Sequence, residues 1–273
     1  MTLQPIYSPD DVSLPAYHLR YTWTGWPSSS AFPDSPSQDF FQELDALWEN
    51  DGLRRLEMSW SAELIQLTFS VKPQVSPMFF TSRVKGRLQH ALRKSDRPTK
   101  FSRKVGFRGI GDNHPAEVEA YIEHQVEKEA FVDSRFAEFL KQFTMTNPGV
   151  KLDQPTETNS GRYWYNLHLV LVVEQRNRFT DEESLRKIGQ WCSGIARKKG
   201  YAISASSVMP DHLHLALRGN IEQSPEKIAL ALMNNLAYSF GQNRIWQSSY
   251  YAGTFGEYDM DAVRRNIGSN SHC

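Results

Sequence analysis

Two histidines, His212 and His214, are separated by a single residue in the segment MPDHLHLAL, which spans 209–217. The alternation of histidine and leucine predicts a β-strand that carries both imidazoles on one face. Nitrogens placed in this way can bind one divalent metal ion. Two surface histidines on a half-exposed strand are the structural alternative, because such a pair arises by chance with an expectation of about 0.2 in a chain like this. Asp211 precedes the pair and could orient an imidazole, although strand alternation places it opposite His212.

A tyrosine and a glutamine four residues apart follow a clear helix start. Asp112 or Asn113 can cap this helix, and Pro115 suits its first turn. Tyr121 and Gln125 then lie on one helix face. Taken alone, these residues favour a core tyrosine beside a solvated glutamine.

A third feature is a basic segment in a chain whose 31 Lys and Arg balance 31 Asp and Glu. Asp96 is the only acidic residue between 81 and 108, and such segregation favours a phosphate-binding surface over a solvated basic helix. Phe101 and Phe107 could stack on unpaired bases or pack in the core. The basic residues are Arg83, Lys85, Arg87, Arg93, Lys94, Arg97, Lys100, Arg103, Lys104 and Arg108.

Length and composition limit the class of protein. A chain of 273 residues corresponds to about two domains, and an aromatic content of 12 % argues against disorder. The longest apolar run, at 167–173, is too short to span a membrane and contains His168. The start of the chain lacks a signal-peptide pattern, and two cysteines make no disulfide framework. We expect a soluble, cytoplasmic protein without a membrane partner.

Matched segments predict an internal duplication. The pairs are 17–21 with 165–169, 67–69 with 215–217 and 76–77 with 224–225, each at an offset of 148, and 110–111 with 255–256 at an offset of 145. A stretch rich in Pro, Asn, Thr and Gly separates the copies. We therefore expect an N-terminal domain at 1–145, a linker at 146–162 and a C-terminal domain at 163–273.

Strand and helix patterns alternate within each copy. Amphipathic spacing predicts helices at 38–50 and 181–199, and residues 206–218 alternate as a strand does. This arrangement predicts an α+β sandwich with helices on one face of each sheet.

Together these features resemble the IS200/IS605-type single-tyrosine transposases and their REP-associated relatives, which belong to the HUH nucleases. The second copy resembles them from Tyr165 to Ile267, through MPDHLHLAL and the segment WQSSYYAGTFG at 246–256. The first copy resembles them from Tyr17 to Gln125, through SPMFFTSRVKGRLQHALR and GFRGIGDNHPAEVEAYIEHQ. The resemblance implies two tandem ferredoxin-like or RRM-like α/β sandwich domains with antiparallel sheets, fused as a pseudo-dimer.

The resemblance also implies roles for individual residues. Tyr121 would be the nucleophile, with Gln125 and the pair His212 and His214 as metal ligands. Relatives act as homodimers whose active sites can combine the histidines of one subunit with the tyrosine helix of the other. A fused dimer would keep one complete composite site and one degenerate site. The degenerate site is marked by Leu64, Gln66, Asn266 and Asn270, which replace its histidines, tyrosine and glutamine.

The expected function is that of a single-stranded DNA endonuclease and strand transferase. It would form a 5′-phosphotyrosine intermediate with Mg²⁺ or Mn²⁺ as cofactor, on a substrate that contains a hairpin. The chain would act as a monomeric intramolecular pseudo-dimer in the cytoplasm of a prokaryote, associated with the nucleoid. The alternative is an inactivated, domesticated transposase derivative that binds DNA without catalysis. A metal-binding scaffold without a nucleic-acid partner is a third class, which the basic segment disfavours.

Overall fold

A computed structural model describes residues 4–12, 15–95, 99–129, 131, 133–241 and 243–256 of the chain. The strands in this part are β1 (Ala16–His18), β2 (Arg20–Pro27), β3 (Leu53–Trp60), β4 (Ile65–Val71), β5 (Phe101–Ile110), β6 (Thr144–Thr146), β7 (Thr156–Thr158), β8 (Gly161–Trp164), β9 (Asn166–Val172), β10 (Ala202–Val208), β11 (His212–Arg218) and β12 (Tyr251–Thr254). The helices are α1 (Gln38–Asn50), α2 (Pro77–Lys94), α3 (Pro115–Glu123), α4 (Gln125–Lys128), α5 (Ser134–Lys141), α6 (Glu182–Lys199) and α7 (Pro225–Ser239).

The strands form two six-stranded sheets. The first sheet has the order β3-β4-β2-β5-β8-β7, and the second has the order β1-β12-β9-β11-β10-β6. Each contains a β-α-β-β-α-β unit whose four strands are antiparallel, β2 to β5 in the first sheet and β9 to β12 in the second. This is the ferredoxin-like arrangement. The predicted α+β class with ferredoxin-like sandwiches is confirmed.

The hydrogen-bond register shows how the two units correspond. Tyr21 in β2 lies opposite Phe69 and Gly109, whereas Leu167 in β9 lies opposite Leu217 and Thr254. The predicted offset of 148 therefore holds between β4 and β11, and the offset of 145 holds between β5 and β12. The first strands of the two units, β2 and β9, correspond at an offset of 146 residues rather than the predicted 148. A shift of two residues leaves every side chain on the same face, so the sequence pattern could not detect it. The duplication itself remains a prediction.

Each unit contributes a strand to the other sheet. β1 precedes the first unit but pairs in parallel with β12, and β8 precedes the second unit but pairs in parallel with β5. The predicted linker at 146–162 therefore contains β7 and the start of β8, which extend the first sheet. The core is continuous across the two units, since the rings of Tyr21 and Tyr165 are 6.1 Å apart between centroids. The structure thus shows two units that share one core.

Helices cover both faces of the second sheet. α6 and α7 pack on the face that bears Leu213, Leu215 and Leu217. On the opposite face α3 packs Val118 and Ile122 against Ala205, Ala216 and Phe255. The expectation of helices on one face only is wrong for this sheet, because α3 follows the first unit and crosses to the second. In the described residues, none of the helices is long and apolar enough to cross a membrane.

The ends of β5 and β12 meet at Thr254. Its hydroxyl accepts a hydrogen bond from the Arg20 backbone N–H at 2.9 Å and donates one to the Ile110 carbonyl at 2.7 Å. Gly111 lies so close to this point that a Cβ added there would be 2.2 Å from the Thr254 carbonyl oxygen. The absence of a side chain at Gly111 allows the two sheets to approach.

We predict that Gly111→Ala destabilises the fold, because backbone atoms cannot yield as a flexible side chain would. The free energy of unfolding, measured by urea denaturation, should fall by about 1–3 kcal/mol. Gly86→Ala is the matched control, since a Cβ there meets nothing within 4 Å and helix propensity should add about 0.5–1 kcal/mol. Equal effects of the two substitutions would contradict this description of the junction.

Candidate active site

The structure brings Tyr121 against the two histidines of β11, although they come from different units. The ring centroid of Tyr121 is 5.7 Å from that of His214, in an edge-to-face contact. The rings of His212 and His214 are 4.9 Å apart, as expected for two residues on one strand face. Tyr121, His212 and His214 therefore lie together on the face of the second sheet that α3 covers.

The position of Tyr121 follows from the way α3 packs. Val118 and Ile122 are four residues apart and point into the sheet, which leaves Tyr121 43 % exposed beside the histidines. The predicted caps Asp112 and Asn113 are wrong, because the N-cap is His114. The backbone N–H of His114 donates to the Glu117 carboxylate at 2.7 Å, and a bond within the first turn replaces the expected cap. Pro115 stands at the start of the helix, as predicted.

Gln125 is buried rather than solvated. α3 ends at Glu123, and Gln125 begins the short helix α4. Its side-chain Nε2 donates to the backbone carbonyl of Tyr121 at 3.0 Å, which ties its side chain to the tyrosine. This bond uses the amide nitrogen, whereas the amide oxygen is the atom that a hard cation would take.

Asp211 holds His212 through the imidazole Nδ1, which lies 2.7 Å from the Asp211 Oδ1. Arg176 donates to the other carboxylate oxygen at 3.0 Å. Burial acts to raise the pKa of Asp211, but the bonds and charges of His212 and Arg176 outweigh it and lower that pKa. Strand alternation does not apply to Asp211, because β11 begins only at His212. The sequence prediction of an opposite face therefore does not exclude this bond.

His168 in β9 is a member of the cluster that sequence reasoning did not identify. Its Nε2 lies 3.0 Å from the Nδ1 of His214. Burial lowers the pKa of His168 to about 4. Burial, followed by the nearby groups His168, His212 and Lys128, lowers the pKa of His214 to about 3. Both imidazoles are therefore neutral at pH 7, the state in which histidine binds metals.

Lys128 and Tyr251 complete the surroundings, and neither was predicted to belong to the site. The ammonium of Lys128 lies 3.4 Å from the centroid of the Tyr121 ring, within the range of a cation–π contact. The ring of Tyr251 in β12 contacts His168 edge to face, with centroids 5.7 Å apart. Burial raises the pKa of Tyr251, so at neutral pH its side chain carries no charge.

The side chains present fit a divalent metal ion by their chemistry. With Nδ1 of His212 and His214 engaged, their Nε2 atoms are the nitrogens that can coordinate a cation. The described residues include no group of three or more His, Cys, Asp or Glu that could hold a metal. Gln125 is the residue that the sequence resemblance offers as a third protein ligand beside the two histidines.

The predicted basic surface is only partly free for a ligand. Lys85 donates to the Ser102 carbonyl at 2.6 Å, and Arg87 is paired with Asp51 at 2.5 Å. Arg108 is buried with its guanidinium 4.3 Å above the ring of Trp164. Arg97 lies outside the described residues. The exposed members are Arg83, Arg93, Lys94, Lys100, Arg103 and Lys104.

The structure describes both phenylalanines of the basic segment and two of the four residues of the predicted degenerate site. Phe101 and Phe107 are both buried, so they pack in the core. Leu64 is half-buried before β4. Gln66 in β4 is fully buried, and neither of its amide atoms has a hydrogen-bond partner. Asn266 and Asn270 lie outside the described residues.

The second unit matches the model of a known protein family. Residues 162–270 match the family model described as "Transposase IS200 like". No curated protein matches the chain.

Solved structures give weaker similarities. A crystal structure assigned as a transposase from Deinococcus radiodurans R1 is 21 % identical, with a TM-score of 0.31, over 38 % of this chain and 88 % of that one. A REP-associated tyrosine transposase bound to a REP hairpin is 12 % identical, with a TM-score of 0.30, over 38 % of this chain and 62 % of that one. A bacterial light-regulated adenylyl cyclase is 10 % identical, with a TM-score of 0.20, over 86 % of this chain and 72 % of that one.

We predict that acid destabilises the metal-free protein through His168 and His214. Their pKa values lie below the ordinary histidine value of about 6.5, so the unfolded chain binds more protons as the pH falls below that value. The free energy of unfolding, measured by urea denaturation in a chelator, should fall by on the order of 1 kcal/mol per histidine between pH 7 and 5.5.

The His214→Gln variant should show a flatter pH dependence than the native protein. His90→Gln, at an exposed position of α2, is the matched control for the substitution itself. A slope in His214→Gln equal to that of the native chain would mean that His214 binds protons equally when folded and unfolded.

Proposed function

We propose that this chain, whose residues 162–270 match the model of the IS200-like transposase family, is a metal-dependent tyrosine endonuclease and strand transferase for single-stranded DNA. The observation that carries this proposal is the edge-to-face contact of Tyr121 with His214. It joins a nucleophile from the first unit to a metal-binding strand from the second. The two units together would provide one composite site.

The reaction follows from the chemistry of these side chains. The Tyr121 oxygen attacks the scissile phosphorus and gives up its proton, forming an O–P bond as the bond to the 3′ oxygen breaks. The products are a 5′-phosphotyrosine and a 3′ oxygen that takes up a proton to become a free hydroxyl. Attack by a 3′ hydroxyl on the same phosphorus reverses the step or joins a new strand, because the linkage retains the phosphodiester energy.

A cation such as Mg²⁺ or Mn²⁺, when bound, would offset the charge that grows on the phosphate. His212, His214 and Gln125 are the residues that would hold it. Asp211 keeps the ring of His212 oriented through the 2.7 Å bond to its Nδ1. The side chain of Gln125 donates a hydrogen bond to the backbone carbonyl of Tyr121. This bond would orient the Gln125 amide as a metal ligand and keep it close to the residue that carries the nucleophile.

Lys128 provides a positive charge next to the nucleophile. Its ammonium lies 3.4 Å from the ring centroid of Tyr121, in a cation–π contact.

A hairpin-containing single strand is the substrate that we propose, held by the exposed cations of α2 and β5. Since Leu64 and Gln66 occupy the histidine positions of the other unit, that site would lack a histidine pair. A monomer would then cut and rejoin one strand at a time. It would not excise a two-ended element in one coordinated event.

The direct test is a covalent adduct with single-stranded hairpin oligonucleotides in Mg²⁺ or Mn²⁺. The native chain should form an adduct that mass spectrometry maps to Tyr121. Tyr121→Phe should abolish it and retain DNA binding, because only the hydroxyl is removed. Tyr251→Phe is the matched control, as this second tyrosine also contacts His168, and it should keep the adduct.

An adduct that persists in Tyr121→Phe would contradict the assignment of the nucleophile. DNA binding by the native chain with no adduct on any hairpin or single strand would favour the inactivated DNA-binding derivative instead.

We also predict that four exposed cations contribute to DNA affinity. Replacing Arg93, Lys94, Arg103 and Lys104 by Gln should weaken binding. It should also flatten the plot of log affinity against log salt by about 0.7 for each phosphate of a single strand that the protein no longer neutralises. Lys198→Gln with Lys199→Gln is the control, because these exposed residues end α6 on the other unit. An unchanged salt slope in the fourfold variant would show that this surface does not bind the DNA backbone.

A further inference from the structure

We propose that His168 is a positioning residue that holds His214 in the tautomer required for metal binding. This inference rests on the proposed function, since it concerns a ligand of the same site. It adds a histidine from β9 to the site residues that the sequence predicted on the histidine strand and on the tyrosine helix. The observation that carries it is the 3.0 Å separation of His168 Nε2 and His214 Nδ1.

Two imidazole nitrogens at this distance need one donor and one acceptor. If His168 donated, a neutral His214 would carry its proton on Nε2, and that nitrogen could not bind a metal. If His214 donates from Nδ1, its Nε2 keeps a free lone pair. Metal binding through Nε2 therefore requires His168 to be the acceptor.

The Nδ1 of His212 also has a hydrogen-bond partner, Asp211, and here only one direction of the hydrogen bond is possible. A carboxylate can only accept, so the Nδ1 of His212 donates to Asp211, and a neutral His212 then has a free lone pair on Nε2. Metal-binding histidines generally donate their second N–H to such an acceptor. In this site His168 would accept the hydrogen bond from Nδ1 of His214, as Asp211 accepts the one from Nδ1 of His212.

The orientation of His168 is fixed from several sides. β9 lies between β12 and β11 in the middle of the second sheet, so its backbone is paired on both edges. The ring of Tyr251 contacts His168 from β12, and the ring of Tyr121 contacts it from α3 with centroids 5.8 Å apart. His168 therefore touches both the proposed ligand His214 and the proposed nucleophile.

The first unit offers an internal comparison. By register the position of His168 corresponds to Thr22, and that of His214 corresponds to Gln66. The hydroxyl of Thr22 is hydrogen-bonded to Thr68, whereas the amide of Gln66 has no partner. The unit without a histidine at the ligand position thus also lacks the histidine that would orient it.

The first experiment measures the tautomers in the metal-free full chain by ¹⁵N NMR of the histidine rings. We expect His214 to be protonated on Nδ1 and His168 to be unprotonated on Nε2. This measurement needs no substitution, so it does not depend on the folding of a variant. A His214 protonated on Nε2 would overturn the proposal.

The second experiment measures Mn²⁺ affinity by calorimetry without DNA. His168→Leu should weaken binding about 10–100-fold, as loss of an orienting acceptor does. His168→Gln should restore part of the affinity through its amide oxygen. His90→Leu is the matched control, because His90 is exposed on α2 and this variant should bind Mn²⁺ as the native chain does.

Unchanged affinity in His168→Leu would also overturn the proposal. A loss as complete as that in His214→Ala, without rescue in His168→Gln, would instead make His168 a direct ligand. If the tautomers and Mn²⁺ affinities are as expected but the native chain forms no DNA adduct, the proposed nuclease function fails and this assignment stands.

Discussion

The packing of α3 on the second sheet is the contact on which the site depends. Val118 and Ile122 lie against Ala205 and Ala216, all four buried. The two alanines have no bulk to hold the helix away from the strands, so Tyr121 at the edge of the helix reaches the histidines of β11. Larger residues at Ala205 or Ala216 would lift α3 and separate the nucleophile from the metal-binding strand.

The exchanged strands make this contact part of one cooperative structure. β1 closes the edge of the second sheet at β12, and β8 extends the first sheet at β5. Thr254 then joins β2, β5 and β12 through its hydroxyl. Since α3 follows β5 directly, the junction that fixes the end of β5 also fixes the start of the helix that carries Tyr121.

Much of the architecture was predictable from local patterns. The helices at 38–50 and 181–199 and the histidine strand follow from periodicity, because burial on one face imposes it. The residues Tyr121, His212 and His214 were predicted because their spacing resembles a family motif. The amphipathic pattern of α6 does not predict every buried position. Trp191, a large apolar residue, is 45 % exposed, whereas its neighbour Cys192 is buried.

The remaining features depend on tertiary contacts that no local pattern encodes. His168 joins the site only because β9 pairs with β11, and in the sequence it is simply a polar residue within an apolar run. Lys128 reaches Tyr121 because the helix breaks at His124 and continues as α4. Lys85, Arg87 and Arg108 look like DNA-binding residues in the sequence, yet each has a partner within the fold.

The central claim is that residues from both units form one metal-dependent site. The most direct measurement is anomalous diffraction from crystals of the full chain soaked in Mn²⁺. The account predicts a Mn²⁺ peak at coordination distance from Nε2 of both His212 and His214, with the Gln125 amide oxygen as third protein ligand and the Tyr121 hydroxyl beside it. Crystals that show the histidines without a Mn²⁺ peak between them, or with Tyr121 turned away from the peak, would contradict it.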